Sequence, residues 1–113
     1  MNECLFCRMA DGQMDVAKLH DDSLVFAIRD INPRAPVHIM VIPKAHIPTA
    51  RDLSEADGQL LARMFTVANL MADKEGIGER GYRLAINCGD DAGMSISHLH
   101  LHLLGGRRLG AEG

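Results

Sequence analysis

The chain has 113 residues, 47% of them hydrophobic, which suits one domain (1–113) with one core and leaves no room for a second. Twelve basic residues against 15 acidic ones give a formal charge of -3, without the basic excess of a protein that tracks a nucleic-acid polymer. No apolar run reaches the ~18 residues of a membrane span, and the segment "MNECLFCRMADG" has neither the basic start nor the cleavage site of a secretory leader. Three cysteines, Cys4, Cys7 and Cys88, are too few for a disulfide framework and fit a reducing compartment. The expectation is a cytoplasmic protein without a membrane or nucleic-acid partner.

In chain order, residues 4–11 predict a short helix closed by Asp11-Gly12. "VAKLH" (16–20) and "SLVFAIRD" (23–30) are β-rich runs whose separation by Asp21-Asp22 predicts a hairpin. "INPRAP" breaks regular structure, and "VHIMVIP" (37–43) follows as a nearly continuous apolar strand ended by Pro43. His38 is its one polar side chain.

From Ser54 the period changes. Ser54 with Asp57 three residues later makes a capping-box start, and Leu60, Leu61, Met64, Phe65, Val67, Ala68, Leu70 and Met71 recur at helical spacing until Gly76. The predicted helix 54–76 thus has an apolar stripe wider than one sheet needs. A second burial against the same helix of another copy, in a symmetric homodimer, is expected. "YRLAINCG" (82–89) and "HLHLHLL" (98–104) add two strands, joined by "GDDAGMS". About five strands in antiparallel meander order with one long and one short helix make an α+β domain.

Within "SHLHLHLL", three of the six histidines stand at every second position. On a strand, His98, His100 and His102 share one face while Leu99, Leu101 and Leu103 enter the core. Neighbouring imidazoles then lie two strand rises, roughly 7 Å, apart at their Cα atoms. A single histidine such as His38 is ordinarily a polar strand residue; three in strict alternation forgo β-propensity and repel one another when protonated, which marks the row as functional.

Two chemistries suit it. His-x-His presents two nitrogens to one zinc ion, or an imidazole attacks phosphorus while a second hydrogen-bonds a phosphoryl oxygen. The flanking "NCGDDAGMS" favours the second, because Asn87, Ser95 and backbone N–H groups around Gly93 can cradle a phosphate.

These residues resemble the histidine triad family. His98-Leu99-His100-Leu101-His102-Leu103-Leu104 is similar to its signature, and "VFAIRDINPRAPVHIMVIPKAHI" and "GYRLAINCGDDAGMSISHLHLHLLGGR" resemble the two halves of its nucleotide-binding branch. The resemblance implies a hydrolase or transferase acting at the α-phosphate of purine nucleoside monophosphate derivatives, typically phosphoramidates of AMP, with no cofactor required for catalysis. It implies His100 as the nucleophile that forms a nucleotidyl-histidine, His102 on a phosphate oxygen, and His38 and His98 completing the imidazole network. Ser95 would meet the phosphate or leaving group, Asn87 the ribose and phosphate, and Asp30 the ribose hydroxyls, for which a carboxylate is a suitable double acceptor. Phe6, Met9, Ile28, Ile31 and Met40 would line the purine pocket, although each alone reads equally well as core.

Cys4-x-x-Cys7 can hold one side of a zinc ion, and a closed site needs four ligands. In the related galactose-1-phosphate uridylyltransferase branch a similar pair is completed by a distant histidine and the first triad histidine, which here implies a structural zinc on Cys4, Cys7, His46 and His98. Two plain thiols in a reducing cytosol are the alternative reading. Cys88 reads as structural and His20 as surface. Two departures from the family stand out: Met94 precedes Ser95 where glutamine is common, and "RLGAEG" follows Arg107 in place of an aromatic, proline-bearing tail. They keep open a nucleotide-binding or scaffolding module with little turnover. A second rival is a zinc hydrolase in which the triad itself binds the metal.

Overall fold

A computed structural model describes residues 4–113; Met1 to Glu3, the start of the segment read above for a secretory leader, lie outside the described residues. The elements are α1 (Leu5–Ala10), β1 (His20–Asp21), β2 (Val25–Arg29), β3 (Val37–Pro43), α2 (Gly58–Lys74), β4 (Tyr82–Ala85) and β5 (Leu101–Gly105), with short 3-10 turns between some of them. Every strand pairing is antiparallel, in the order β1-β2-β3-β5-β4. The meander is therefore strict only through β3. The helical crossover sets β4 one place further out, and β5 fills the slot, with Leu103 opposite both Ile39 of β3 and Leu84 of β4.

Alternation in β2, β3 and β5 sorts side chains onto two faces, and both faces are covered. Val25, Ala27, Val37, Ile39, Val41, Leu101 and Leu103 pack with Met64, Val67, Ala68, Met71 and Ala72 of α2. On the opposite face Phe26, Ile28, Met40 and Ile42 pack with Phe6 and Met9 of α1. This double coverage explains why all of Val37–Pro43 is buried and why that run reads as continuously apolar.

The ends of α2 follow local chemistry. Ser54 accepts the N–H of Ala56 and Asp57 accepts that of Ser54, so the anticipated capping box exists, but it heads a 3-10 turn (Glu55–Asp57) and the α-helix begins at Gly58. The chain leaves the helix through Gly76 at φ 76°, a left-handed conformation that costs glycine little. Phe65 and Leu70 remain 39% and 41% exposed, so the apolar stripe is wider than the sheet covers. Among the described residues no helix is long and apolar enough to cross a membrane.

Several boundaries differ from the sequence expectation. Only His20 and Asp21 of "VAKLH" and its neighbour join the sheet, opposite Ala27 and Phe26, because Asp22 turns the chain by accepting the N–H groups of Leu24 and Val25. His20 is not a plain surface residue: its Nε2 meets Asp22 Oδ2 at 2.7 Å, beside the fork of Arg63. β4 ends at Ala85 rather than residue 89, and β5 begins at Leu101, so His98 and His100 precede the regular strand. The Leu99 N–H donates to the Ile47 carbonyl at 2.7 Å, which draws that stretch out of the ladder.

Candidate active site

The row of histidines keeps its alternation although only His102 lies within β5: Leu99, Leu101 and Leu103 face α2, and His98, His100 and His102 are buried on the side of α1. β3 brings His38 to them, since Met40 lies opposite His102. The rings form a chain, with His100 and His102 centroids 4.9 Å apart and those of His38 and His102 5.1 Å apart.

Fixed donors and acceptors set each tautomer. The Arg34 backbone N–H donates to His38 Nδ1 (3.2 Å), so the proton of neutral His38 resides on Nε2. That Nε2–H donates to His102 Nδ1 (2.9 Å), which leaves the His102 proton on Nε2 as a hydrogen-bond donor. The carbonyl of His98 accepts from His100 Nδ1 at 2.6 Å, so the lone pair of His100 is on Nε2. The Pro43 carbonyl accepts from His98 Nε2 at 2.8 Å, which frees the His98 Nδ1 lone pair.

Burial and neighbouring charge favour the neutral forms of His38, His98 and His102. Burial lowers the His38 pKa, with Asp30 opposing and Arg34 assisting. His102 is pushed down to about 4, chiefly by burial and further by the charges of His100, His38 and Arg34, with Asp30 opposing. His98 is likewise lowered by burial, against the bond to Pro43.

A cleft of about 480 Å³ opens beside the row, lined by Phe6, Met9, Ile28, Asp30, Ile31, Met40, Asn87, Gly93, Ser95, His100 and His102. The structure thus gathers ten of the residues the sequence nominated for nucleotide contact, together with His100. Phe6 stands edge-on to His100 at 5.2 Å and closes the cleft floor. Ile31 is 91% exposed and forms the rim, not core. Asp30 Oδ1 accepts the Asn32 N–H (2.8 Å), and its Oδ2 lies 3.4 Å from His38 Nε2. His38 and His98 line no part of the cleft and lie behind it. Met94 also contributes nothing to its lining.

Sequence reading overlooked Arg34, Leu5, Val16, Arg29, Asn32 and Ile96, which share the cleft wall. Arg34 carried one available signal: it is the only charged side chain within the "INPRAP" break, four residues before His38.

Behind the triad, Cys4, Cys7, His46 and His98 converge, with one ligand atom from each within 4.8 Å of all the others. His98 Nδ1 is 3.2 Å from Cys4 Sγ, 3.5 Å from Cys7 Sγ and 3.1 Å from His46 Nδ1. A tetrahedral zinc with ordinary Zn–S and Zn–N bonds has ligand edges of about 3.3 to 3.8 Å, so this donor set fits one ion with little adjustment. The triad itself does not suit the metal site of the second rival reading. His98 aims its lone pair at the cysteines, His100 turns Nδ1 onto a carbonyl, and His102 Nδ1 is taken by His38.

Fold and site define an α+β protein whose buried imidazole row sets one lone-pair nitrogen and one N–H donor beside a cleft of about 480 Å³. The HIT domain profile matches residues 11–109, and the chain belongs to the histidine triad family. It is 45% identical to the purine nucleoside phosphoramidase of Escherichia coli K12 over 108 residues, 96% of this chain and 91% of that protein. A HIT family hydrolase from Legionella pneumophila superposes with a TM-score of 0.93 at 42% identity, covering 96% of each chain. A histidine triad protein from Clostridium difficile superposes at 0.92 with 35% identity, covering 98% of this chain and 96% of that one.

Proposed function

We propose that this histidine triad protein is a nucleotide hydrolase that cleaves phosphoramidates of purine nucleoside monophosphates through a nucleotidyl-histidine intermediate on His100. The observation that carries this reading is the 2.6 Å bond from His100 Nδ1 to the His98 carbonyl, which leaves Nε2 as the lone-pair nitrogen of a ring that lines the cleft. Likeness to a purine nucleoside phosphoramidase supports the substrate class.

The base lies among Phe6, Met9, Ile28, Ile31 and Met40, and Asp30 accepts from the ribose hydroxyls. Asn87, Ser95, the backbone at Gly93 and the His102 Nε2–H hold the phosphoryl oxygens, where charge grows during attack. The His100 Nε2 lone pair forms a bond to phosphorus as the P–N bond of the substrate breaks. The electron pair goes to the departing nitrogen, which takes a proton from water. Water then adds to phosphorus, its hydroxyl staying there and its proton returning to solvent, while the P–Nε2 bond breaks and restores neutral His100. His38 acts through His102 by fixing its tautomer, and His98 through His100.

Cys4, Cys7, His46 and His98 would hold a structural zinc, which when bound would tie α1 to the segment bearing the nucleophile. The exposed Phe65 and Leu70 on α2 support a symmetric dimer through that helix. The test is AMP release from adenosine 5′-phosphoramidate by the wild type and by His100→Ala, each with and without a zinc chelator. Release that vanishes in the variant but initially survives chelation supports the reading. Absence of release by the wild type, or equal release by His100→Ala, overturns it.

A further inference from the structure

The cleft does not end at the triad. Across the sheet its order is Ile28 on β2, Met40 on β3, His102 on β5 and then Ala85 and Arg83 on β4, since Ile28 lies opposite Met40, Met40 opposite His102, and His102 opposite Ala85. The apolar end lies over β2 and β3, and of the groups assigned to the phosphate His102 lies on β5 while Asn87, Gly93 and Ser95 lie on the connection between β4 and β5. On the hydrolase reading, β4 is the next strand available to the group that the phosphate carries besides the nucleoside.

A second groove of about 230 Å³ lies there, sharing Arg34, Asn87 and His102 with the main cleft and adding Arg83, Arg107 and Glu112. Its electrostatics are one-sided. Arg83 donates to the Gly110 carbonyl (2.8 Å), and Arg107 to the Arg34 carbonyl (2.9 Å) and the Arg108 carbonyl (2.9 Å), so these bonds orient the guanidinium groups without neutralising them. Among the described residues, the one carboxylate lining the groove belongs to Glu112, which is 82% exposed and lies 3.9 Å from Arg83. A loosely held carboxylate from the chain's own tail thus rests where three arginines converge.

Resting on the hydrolase reading above, we propose that this groove is the leaving-group subsite and that Arg83 and Arg107, with Arg34 at its entrance, select substrates whose leaving amine carries a carboxylate. Glu112 occupies the subsite in the free protein and competes with such a substrate. Arg34 borders both spaces, whereas Arg83 and Arg107 border only the outer one, so these two report on the leaving group rather than on the phosphate.

The experiment measures kcat/KM on three probes: adenosine 5′-phosphoramidate, AMP joined through nitrogen to glycine, and AMP joined in the same way to glycine methyl ester. The wild type is expected to favour the carboxylate probe over its ester by about tenfold, the scale of one charged hydrogen bond at a partly exposed site. Arg83→Gln and, separately, Arg107→Gln are expected to shrink that ratio several-fold, Arg83→Lys to restore part of it, and Glu112→Gln to increase it. Added salt is expected to reduce it in the wild type. A ratio near one in the wild type, or a ratio that persists in both glutamine variants, overturns the inference while AMP release from the simple phosphoramidate leaves the hydrolase reading standing. Failure of the wild type on the simple phosphoramidate overturns both.

Discussion

His98 and His100 divide one task between backbone and side chain: the carbonyl of His98 accepts from His100 Nδ1, while the ring of His98 reaches back to Cys4, Cys7 and His46. The thiol cluster and the nucleophile are therefore two residues apart on one rigid segment. Replacing Cys7 by serine is expected to lower bound zinc, measured by elemental analysis, and to lower the melting temperature by several degrees, because a closed zinc site contributes directly to folding. Activity is expected to fall less than it does in His100→Ala. Wild-type protein that contains no zinc, with Cys7→Ser melting at an unchanged temperature, would contradict the metal assignment.

His102 gives a pH dependence with a definite sign. Unfolded, it takes a proton near its ordinary 6.5, and folded only at about 4. Between those values the unfolded state binds more protons, so this residue makes stability rise with pH and costs on the order of 3 kcal/mol once pH falls to the lower value. His102→Gln is expected to flatten the pH dependence of the urea midpoint between about pH 7 and about pH 5. An unchanged slope would show that His102 is not held neutral by burial.

Asp22 anchors the first hairpin through both oxygens: one takes the Leu24 and Val25 N–H groups, and the other meets His20 and Arg63. These partners hold its carboxyl well below the usual carboxylate range against the cost of burial. Asp22→Ala is expected to destabilise by about 2–3 kcal/mol, because several donors lose their acceptor at once. Equilibrium denaturation checks this, and a change within experimental error would remove Asp22 from the stability account.

Gly106 sits at φ 93°, and a Cβ there would stand 2.9 Å from Pro36 Cβ. Gly106→Ala combines backbone strain with a ring clash, and a loss of roughly 1–3 kcal/mol is expected. Since Pro36 adjoins the loop that aims the Arg34 N–H at His38, AMP release is expected to slow as well. A thermal melt with a parallel rate measurement decides it.

What could be seen in the sequence was what local chemistry controls. Val37–Pro43 was legible because a strand buried on both faces is apolar throughout, and Ser54 with Asp57 because a capping box needs only four consecutive residues. The imidazole row was legible through its period of two, even though the Leu99 bond to Ile47 takes His98 and His100 out of the ladder. Strand order was not, since nothing in "YRLA" says that β5 will enter between it and β3. Nor was the convergence of Arg34, Arg83 and Arg107, which come from two loops and a strand that only the finished sheet brings together.

The mechanism turns on a covalent bond between phosphorus and His100 Nε2. Mixing the protein with adenosine 5′-phosphoramidate, quenching within the first turnover under alkaline conditions and sequencing the peptides by mass spectrometry tests it directly. One adenylyl group is expected on the peptide Leu84–Arg107, located at His100, accumulating in a burst and absent from His100→Ala. AMP released without any adduct on that peptide, or an adduct located at His98 or His102, would contradict it.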